Sequence, residues 1–359
     1  MIQISPETQL FIREHSSDDV RVLALQAKKY PDIDMPTVIT QIAGRKVAAE
    51  KIPSWREMEE IWYPKHLSLE QCSSEITARY KARLSQGDSL TDLTGGFGID
   101  CSFLATGFKS ATYVERQEEL CEIAAHNFPV LNLNHINIKN EDGVTYLQAM
   151  SPVDCLFLDP ARRNEHGGKT VAISDCEPNV AELEELLLQK ANRVMIKLSP
   201  MLDLSLALKE LKQTQEVHIL SVNNECKELL ILLGQTSPAE ISIHCVNLFT
   251  KGTQKEQHFV FTREQEQCSE CTYTDSLETY LYEPNASLLK AGAFRSIAAA
   301  YPVRKLHPNS HLYTSDTFIE NFPGRIFRIV NQCSFNKKEV KENLADLKKA
   351  NVTVRNFPA

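Results

Sequence analysis

Ser89-Leu90-Thr91-Asp92-Leu93-Thr94-Gly95-Gly96-Phe97-Gly98-Ile99-Asp100 decides the reading of this chain. It describes a short apolar strand (89–94) running into a glycine turn and then a helix (98–106). Glycines at such a turn admit positive φ and let a ligand lie close against the main chain. Nucleoside-binding and dinucleotide-binding α/β folds both use a loop of this kind, so the loop alone does not choose between them. The next strand, Ala111-Thr112-Tyr113-Val114, ends on Glu115, about 20 residues past the loop, where a carboxylate can accept hydrogen bonds from ribose hydroxyls. A third strand (135–139) ends in Asn140-Glu141-Asp142, and a fourth (153–158) runs into Asp159-Pro160-Ala161-Arg162-Arg163. In a parallel sheet these acidic ends gather at the carboxyl edge, where open α/β sheets bind ligands.

Outward from this core the pattern alternates. Helices are expected at 98–106, 117–127, 143–149, 178–191 and 203–212, between strands ending with 193–198. Such connections make parallel strands with helices on both faces. Val217–Val222 and Glu228–Leu233 flank Asn223-Asn224-Glu225-Cys226-Lys227 and read as a hairpin. Upstream, Ser17-Asp18-Asp19 can cap a helix through Lys29, and 35–50 is a second amphipathic segment. Ser68, with Gln71 at the capping-box offset, opens a helix expected to run to about Leu84. Downstream, strands are expected at 240–249, 258–261 and 325–330, with helices at 285–300 and 336–350 and a last strand at 352–355. That final β-α-β run suits a small ferredoxin-like module. The expected partition is 1–86 (helical), 87–237 (catalytic sheet) and 238–359 (α+β).

From about Gly87 to Gly234 the chain resembles the class I S-adenosylmethionine-dependent methyltransferases. The loop Asp92-Leu93-Thr94-Gly95-Gly96-Phe97-Gly98-Ile99-Asp100 is similar to the Asp-x-Thr-x-Gly-x-Gly-x-Asp loops of bacterial RNA methyltransferases, and the closing hairpin looks like the methyltransferase ending. The whole chain resembles a bacterial family with a THUMP-like region after the methyltransferase domain. Members continue past the point where this chain stops, so that region is expected to be incomplete here.

The resemblance implies S-adenosylmethionine as cofactor. Gly95, Gly96 and Gly98 would leave room for its methionine part, Asp92 and Thr94 would fix the loop, Glu115 would hold the ribose and Asp142 the adenine amine. Asp100 reads either as a cofactor contact or as a first-turn acid favoured by the helix dipole. Gln71, Ser73 and Ser74 are secondary candidates, against an ordinary capped helix. Asp159 and Pro160 stand where amine-methylating relatives carry an Asp/Asn-Pro-Pro-aromatic motif, whose carboxylate orients the amine. Ala161 and Arg162 depart from that motif, and Arg162 or Arg163 can stack on a base or hold a phosphate in place of the aromatic. Asp159, Pro160 and Arg162 are therefore the catalytic candidates. Serine in Lys197-Leu198-Ser199-Pro200 replaces a nucleophilic cysteine, Cys155 reads as core and Cys176 lacks a base, so a covalent route is disfavoured. Lys197, at a strand end, either touches substrate or caps a helix.

Two other classes fit part of the pattern. A nicotinamide-dependent oxidoreductase explains the glycines and Glu115 but not Asp159-Pro160. A non-catalytic RNA-binding protein with a vestigial pocket explains Ala161-Arg162. Ten scattered cysteines, no leader and no apolar run able to span a bilayer point to reduced thiols in the cytoplasm. Cys268-x-x-Cys271 supplies two of the four ligands structural zinc needs, so no metal is expected. The net charge is -8, yet residues 285–359 carry twelve Lys/Arg against five Asp/Glu. That basic end suits RNA, with no DNA and no membrane implied, or is a solvated lysine face.

Overall fold

The computed structural model describes residues 4–162, 172–236, 238–345 and 347–351. Two compact units divide the chain, one of Met1–Gln215 with Leu230–Ser237, the other of Glu216–Leu229 with Pro238–Ala359.

In the first unit, β1 (Gly87–Asp92), β2 (Phe108–Glu115), β3 (Ile136–Asn140), β4 (Val153–Leu158) and β5 (Ala191–Leu198) pair in parallel. Their order is β5-β4-β1-β2-β3, with the end of β7 (Glu225–Gly234) beside β5. The chain runs outward from β1 to β3 on one side and from β4 to β5 on the other. The order therefore reverses between β1 and β4, where a crevice opens at the carboxyl ends. Asp92 ends β1 and Asp159 follows β4, so the two acids flank that point. The central strands are buried, with Leu90, Phe157, Met195 and Leu232 packed in one cluster.

The N-terminal helices form their own small core. Pro6–Glu14, Val20–Leu25 and Met35–Lys51 bring together Phe11, Ile12, Leu23, Met35, Val38 and Ile42. Ser5, Asp19 and Asp34 cap the three N-termini. The helix expected to run from a cap at 17–19 to Lys29 is the short Val20–Leu25, which Gln26 closes. The following segment lies on the glycine loop. Trp55 meets Phe97 edge-on at 5.4 Å, and the Tyr63 ring lies 6.1 Å from the same ring. Two amides hold this segment down. Asn127 exchanges hydrogen bonds with the Trp62 backbone at 2.9 and 2.8 Å, and Gln41 does the same with Tyr63 at 2.9 and 3.0 Å.

The helix expected from Ser68 to Leu84 is two helices, His66–Gln71 and Glu75–Ala82. The break falls at Ser73-Ser74, and it turns the Ser73 hydroxyl inward onto buried charges. A continuous helix would spend that hydroxyl on its own backbone or on solvent.

In the second unit β6 (Thr214–Val222) joins β7 through Asn223 and Asn224, both at positive φ (50° and 67°). Two left-handed residues make a tight hairpin turn, so the connection is shorter than the five residues expected. β8 (Ser242–Leu248) runs parallel to β6, and β9 (Glu256–Thr262) antiparallel to β8. A separate antiparallel sheet has the order β11-β12-β10-β13, built from β10 (Tyr280–Pro284), β11 (Arg304–His307), β12 (Ser310–Ser315) and β13 (Gly324–Arg328). This sheet falls inside the 238–359 region expected to be α+β, and of its four strands only the last was expected, at 325–330. The helix expected over 285–300 is interrupted between Ala286–Ala291 and Ser296–Ala300, and the one at 336–350 spans Lys337–Asn343. The strand expected at 352–355 lies outside the described residues. None of the described helices is long and apolar enough to cross a membrane, and the ten cysteines are free thiols.

Candidate active site

The glycine loop is built by backbone demand. Asp92 Oδ1 accepts the Thr94 N–H at 3.0 Å, the Gly95 N–H reaches the Val114 carbonyl at 2.9 Å, and the Gly98 N–H closes back on the Gly95 carbonyl at 2.9 Å. Gly98 sits at φ 85° as N-cap of the helix Ile99–Ala105, a conformation that side chains rarely adopt. A Cβ on Gly95 would lie 2.3 Å from the Tyr113 ring, so only glycine lets the loop pass this close to β2. Glu115, buried at the end of β2, braces the same loop: Oε2 accepts the Gly96 N–H at 2.9 Å and Oε1 the Gln117 N–H at 2.8 Å. The Glu115 carbonyl in turn accepts the Glu141 N–H and the Asn140 amide. Asp142 caps the helix Gly143–Ala149, its Oδ1 accepting Val144 N–H at 3.1 Å and Thr145 N–H at 2.9 Å.

Behind the loop lies a buried ionic cluster. Asp100 is met by two ammonium groups, Lys81 Nζ at 3.0 Å from Oδ1 and Lys197 Nζ at 3.2 Å from Oδ2. Ser73 Oγ donates to Asp100 Oδ2 at 2.7 Å and accepts from Lys81 and Lys197 at 3.0 Å each. Lys197 reaches on to Asp159 Oδ2 at 2.5 Å. Lys81, Asp100 and Lys197 side chains are nearly inaccessible, whereas that of Asp159 is 36% exposed. Asp159 is thus the end of this network that can meet a substrate.

The three carboxylates differ because their neighbours differ. Burial pushes Asp92 up to about 8, and the charges of Asp100 and Asp159 add to the effect. Burial also acts on Asp100, but the Lys81 and Lys197 ammoniums outweigh it and hold this group well below the usual carboxylate range. Desolvation raises Asp159, against the pull of Lys197. One neutral acid and one firmly ionised acid therefore share a small volume with Asp159, which burial also raises.

Asp159 is also held through its backbone, whose N–H donates to Thr94 Oγ1 at 2.6 Å. The structure thus brings Asp92, Thr94, Gly95, Gly96, Gly98, Asp100, Glu115 and Asp159 into one connected site, with Asp142 at the neighbouring strand end. Pro160 follows Asp159 directly, and Ala161 and Arg162 pair by backbone with Glu177 and Cys176. The Arg162 side chain and Arg163 lie outside the described residues. Of the secondary candidates, Ser73 is in the cluster and Gln71 is exposed. Cys155 is buried in β4 and Cys176 beside the short pairing.

Sequence reasoning missed Lys81 altogether. The available signal was its place on the buried face of a helix, three residues after Ala78 and four after Thr77. A lysine there has to find a carboxylate.

Known proteins resemble the chain as follows. The ferredoxin-like domain family matches residues 280–323, and the THUMP domain-like family matches 324–359. A protein of Porphyromonas gingivalis W83 assigned as a methyltransferase superimposes with a TM-score of 0.87 at 34% identity, covering 100% of this chain and 90% of its own. A protein of Vibrio vulnificus YJ016, assigned as the modification subunit of a type I restriction enzyme, covers 56% of each chain at 12% identity and TM-score 0.39. An rRNA methylase of Streptococcus thermophilus covers 44% of this chain and 93% of its own at 14% identity and TM-score 0.33. The last two overlaps are too slight to argue from. No curated protein matches the chain.

Proposed function

The chain belongs to the methyltransferase family of the Porphyromonas gingivalis protein, with ferredoxin-like and THUMP-like segments after its catalytic sheet, and from that premise we propose that it methylates RNA using S-adenosylmethionine. The observation that carries this reading is the double hold on Asp159, by Thr94 of the glycine loop and by Lys197. A substrate-facing carboxylate is thereby fixed to the loop that would take the cofactor.

The cradle fits such a cofactor. Its backbone is glycine where β2 comes closest, and Glu115 and Asp142 end the two strands beyond it. The cofactor supplies an electrophilic methyl on a sulfonium. Methyl transfer is then in-line displacement, in which position matters most. Asp159 accepts a hydrogen bond from an amine N–H, leaving the nitrogen lone pair facing the methyl, and the proton passes to solvent after transfer. Lys197 keeps the Asp159 carboxylate oriented, and Asp100 holds Lys197 in place from the other side. RNA as substrate is supported by the THUMP-like segment and by the excess of Lys/Arg after residue 285.

The test is isothermal titration with S-adenosylmethionine of the unaltered chain, Asp92→Ala and Asp159→Ala, followed by labelled methyl transfer to total RNA and to DNA. Binding lost in Asp92→Ala but kept in Asp159→Ala, with transfer to RNA alone, is the expected result. A folded protein that binds no cofactor would overturn the enzyme reading and leave an RNA-binding module.

A further inference from the structure

Three of the second unit's histidines, none used in methyl transfer, sit on neighbouring strands of one sheet. His218 lies on β6, His244 on β8 and His258 on β9. Register puts them on one face. His244 stands directly opposite His218 in the parallel β6–β8 pair. His258 opposes Val246, which shares a face with His244 two residues away. Glu216, two residues before His218, projects from that face as well.

The side chains converge. His218 Nε2 lies 3.2 Å from Glu216 Oε2, and His244 Nδ1 lies 3.2 Å from His258 Nε2. Donor atoms of Glu216, His218 and His244 all fall within 4.8 Å of one another. The rings stack, His218 on His244 at 4.3 Å and His244 on His258 at 5.3 Å between centroids.

The spacing is informative. Ligands about 2.0–2.1 Å from a tetrahedral ion stand about 3.3–3.4 Å from each other. The two 3.2 Å separations come close to that edge. Rotation about χ2, a soft torsion, is the adjustment that would bring the imidazole lone pairs toward a common point. Three imidazoles and one carboxylate suit a borderline divalent transition metal, zinc foremost, rather than calcium or magnesium, which prefer all-oxygen shells. We propose that Glu216, His218, His244 and His258 form a zinc-class metal site that ties β6, β8 and β9 together. His218 is buried and forms the floor, while His258 is exposed and leaves a path for the ion.

The site is independent of the methyltransferase reading. It also departs from the expectation of no metal, which rested on closely spaced ligand pairs. Here the ligands sit on separate strands, and only the register unites them.

The test uses the full chain, purified without a polyhistidine tag and stripped with a chelator. It is titrated with Co2+ and then Zn2+ at about pH 7.5, where imidazole is largely unprotonated. His244→Ala, His258→Ala and a Cys268→Ser/Cys271→Ser double variant are run beside it, each checked for folding by circular dichroism. The expected result is one equivalent of Co2+ with visible d–d absorption, no sulfur charge-transfer band, and displacement by Zn2+. Each histidine variant should bind more weakly by at least the roughly tenfold that losing even an outer-shell partner costs, and the cysteine variant should bind normally. His258, at the exposed edge, is the variant least able to disturb the fold. Absence of saturable binding, binding that survives both histidine changes, or binding that follows the cysteines would each overturn the proposal.

Discussion

Thr94 and Asp159 stand 65 residues apart in the chain, yet the Thr94 hydroxyl accepts the Asp159 backbone N–H at 2.6 Å. The bond crosses the point where the strand order reverses, tying the glycine loop after β1 to the Asp-Pro turn after β4. Loop and carboxylate therefore keep their relative position without help from a ligand. In a reaction governed by alignment, a 1 Å slip between them would be costly.

Thr94→Val removes the acceptor and leaves a part-buried N–H unpaired, a loss of about 1 kcal/mol. Methyl-transfer kcat is expected to fall more than KM for S-adenosylmethionine rises, with Thr94→Ser restoring both. Steady-state kinetics on the three proteins check this, and an unchanged kcat in Thr94→Val would show the bond to be dispensable.

Lys81→Met strands part of the charge on Asp100, whose two oxygens are each met by a lysine. Breaking a buried pair from one side costs about 3–5 kcal/mol. Urea unfolding should show that loss, and Lys81→Met/Asp100→Asn should recover much of it, since Lys197 keeps Asp159. A double variant no more stable than the single one would mean that packing, not charge, is what Lys81 contributes.

Asp92 stays protonated in the folded protein up to about 8, whereas its ordinary value is 3.8. Between those values the unfolded chain has given up a proton that the folded chain keeps, so folding stability falls as pH rises. Asp92→Asn has no such proton to lose and keeps the Oδ1 acceptor for Thr94. Its melting temperature should exceed that of the unaltered chain by a margin that widens from about pH 4 to about pH 8 and then levels off. A constant margin across a pH series would refute the assignment.

Gly95→Ala places a methyl 2.3 Å from the Tyr113 ring. Overpacking of this sort costs about 1–3 kcal/mol, and it also shifts the loop. Calorimetry is expected to show weaker S-adenosylmethionine binding and a lower melting temperature together. Adding Tyr113→Leu should relieve the stability loss.

The sheet was legible because the strands β1 to β4 each run into a glycine turn or an acidic end, and the strand-helix alternation leaves few topologies open. The acids at the carboxyl edge followed from the same reading. The break at Ser73 was not legible: the local pattern favours one long helix, and only the buried charges of Lys81, one helix on, and of Asp100 and Lys197, farther along the chain, make a turn there worthwhile. Lys81 escaped notice for a similar reason, since a lysine reads as solvated until its helix face is known. Within the region expected to be α+β from 238, the strand at Tyr280–Pro284 was not legible because the alternation in 325–330 is stronger and its own partners are set by the fold of the sheet.

Strand β7 begins in one compact unit and ends in the other. The first unit is consequently discontinuous: it waits for Leu230–Ser237, and those residues follow the stretch Glu216–Leu229 that belongs to the second. On the ribosome, the sheet that carries Asp92 and Asp159 cannot be completed until part of its neighbour has already emerged. No single proteolytic cut would release either unit whole.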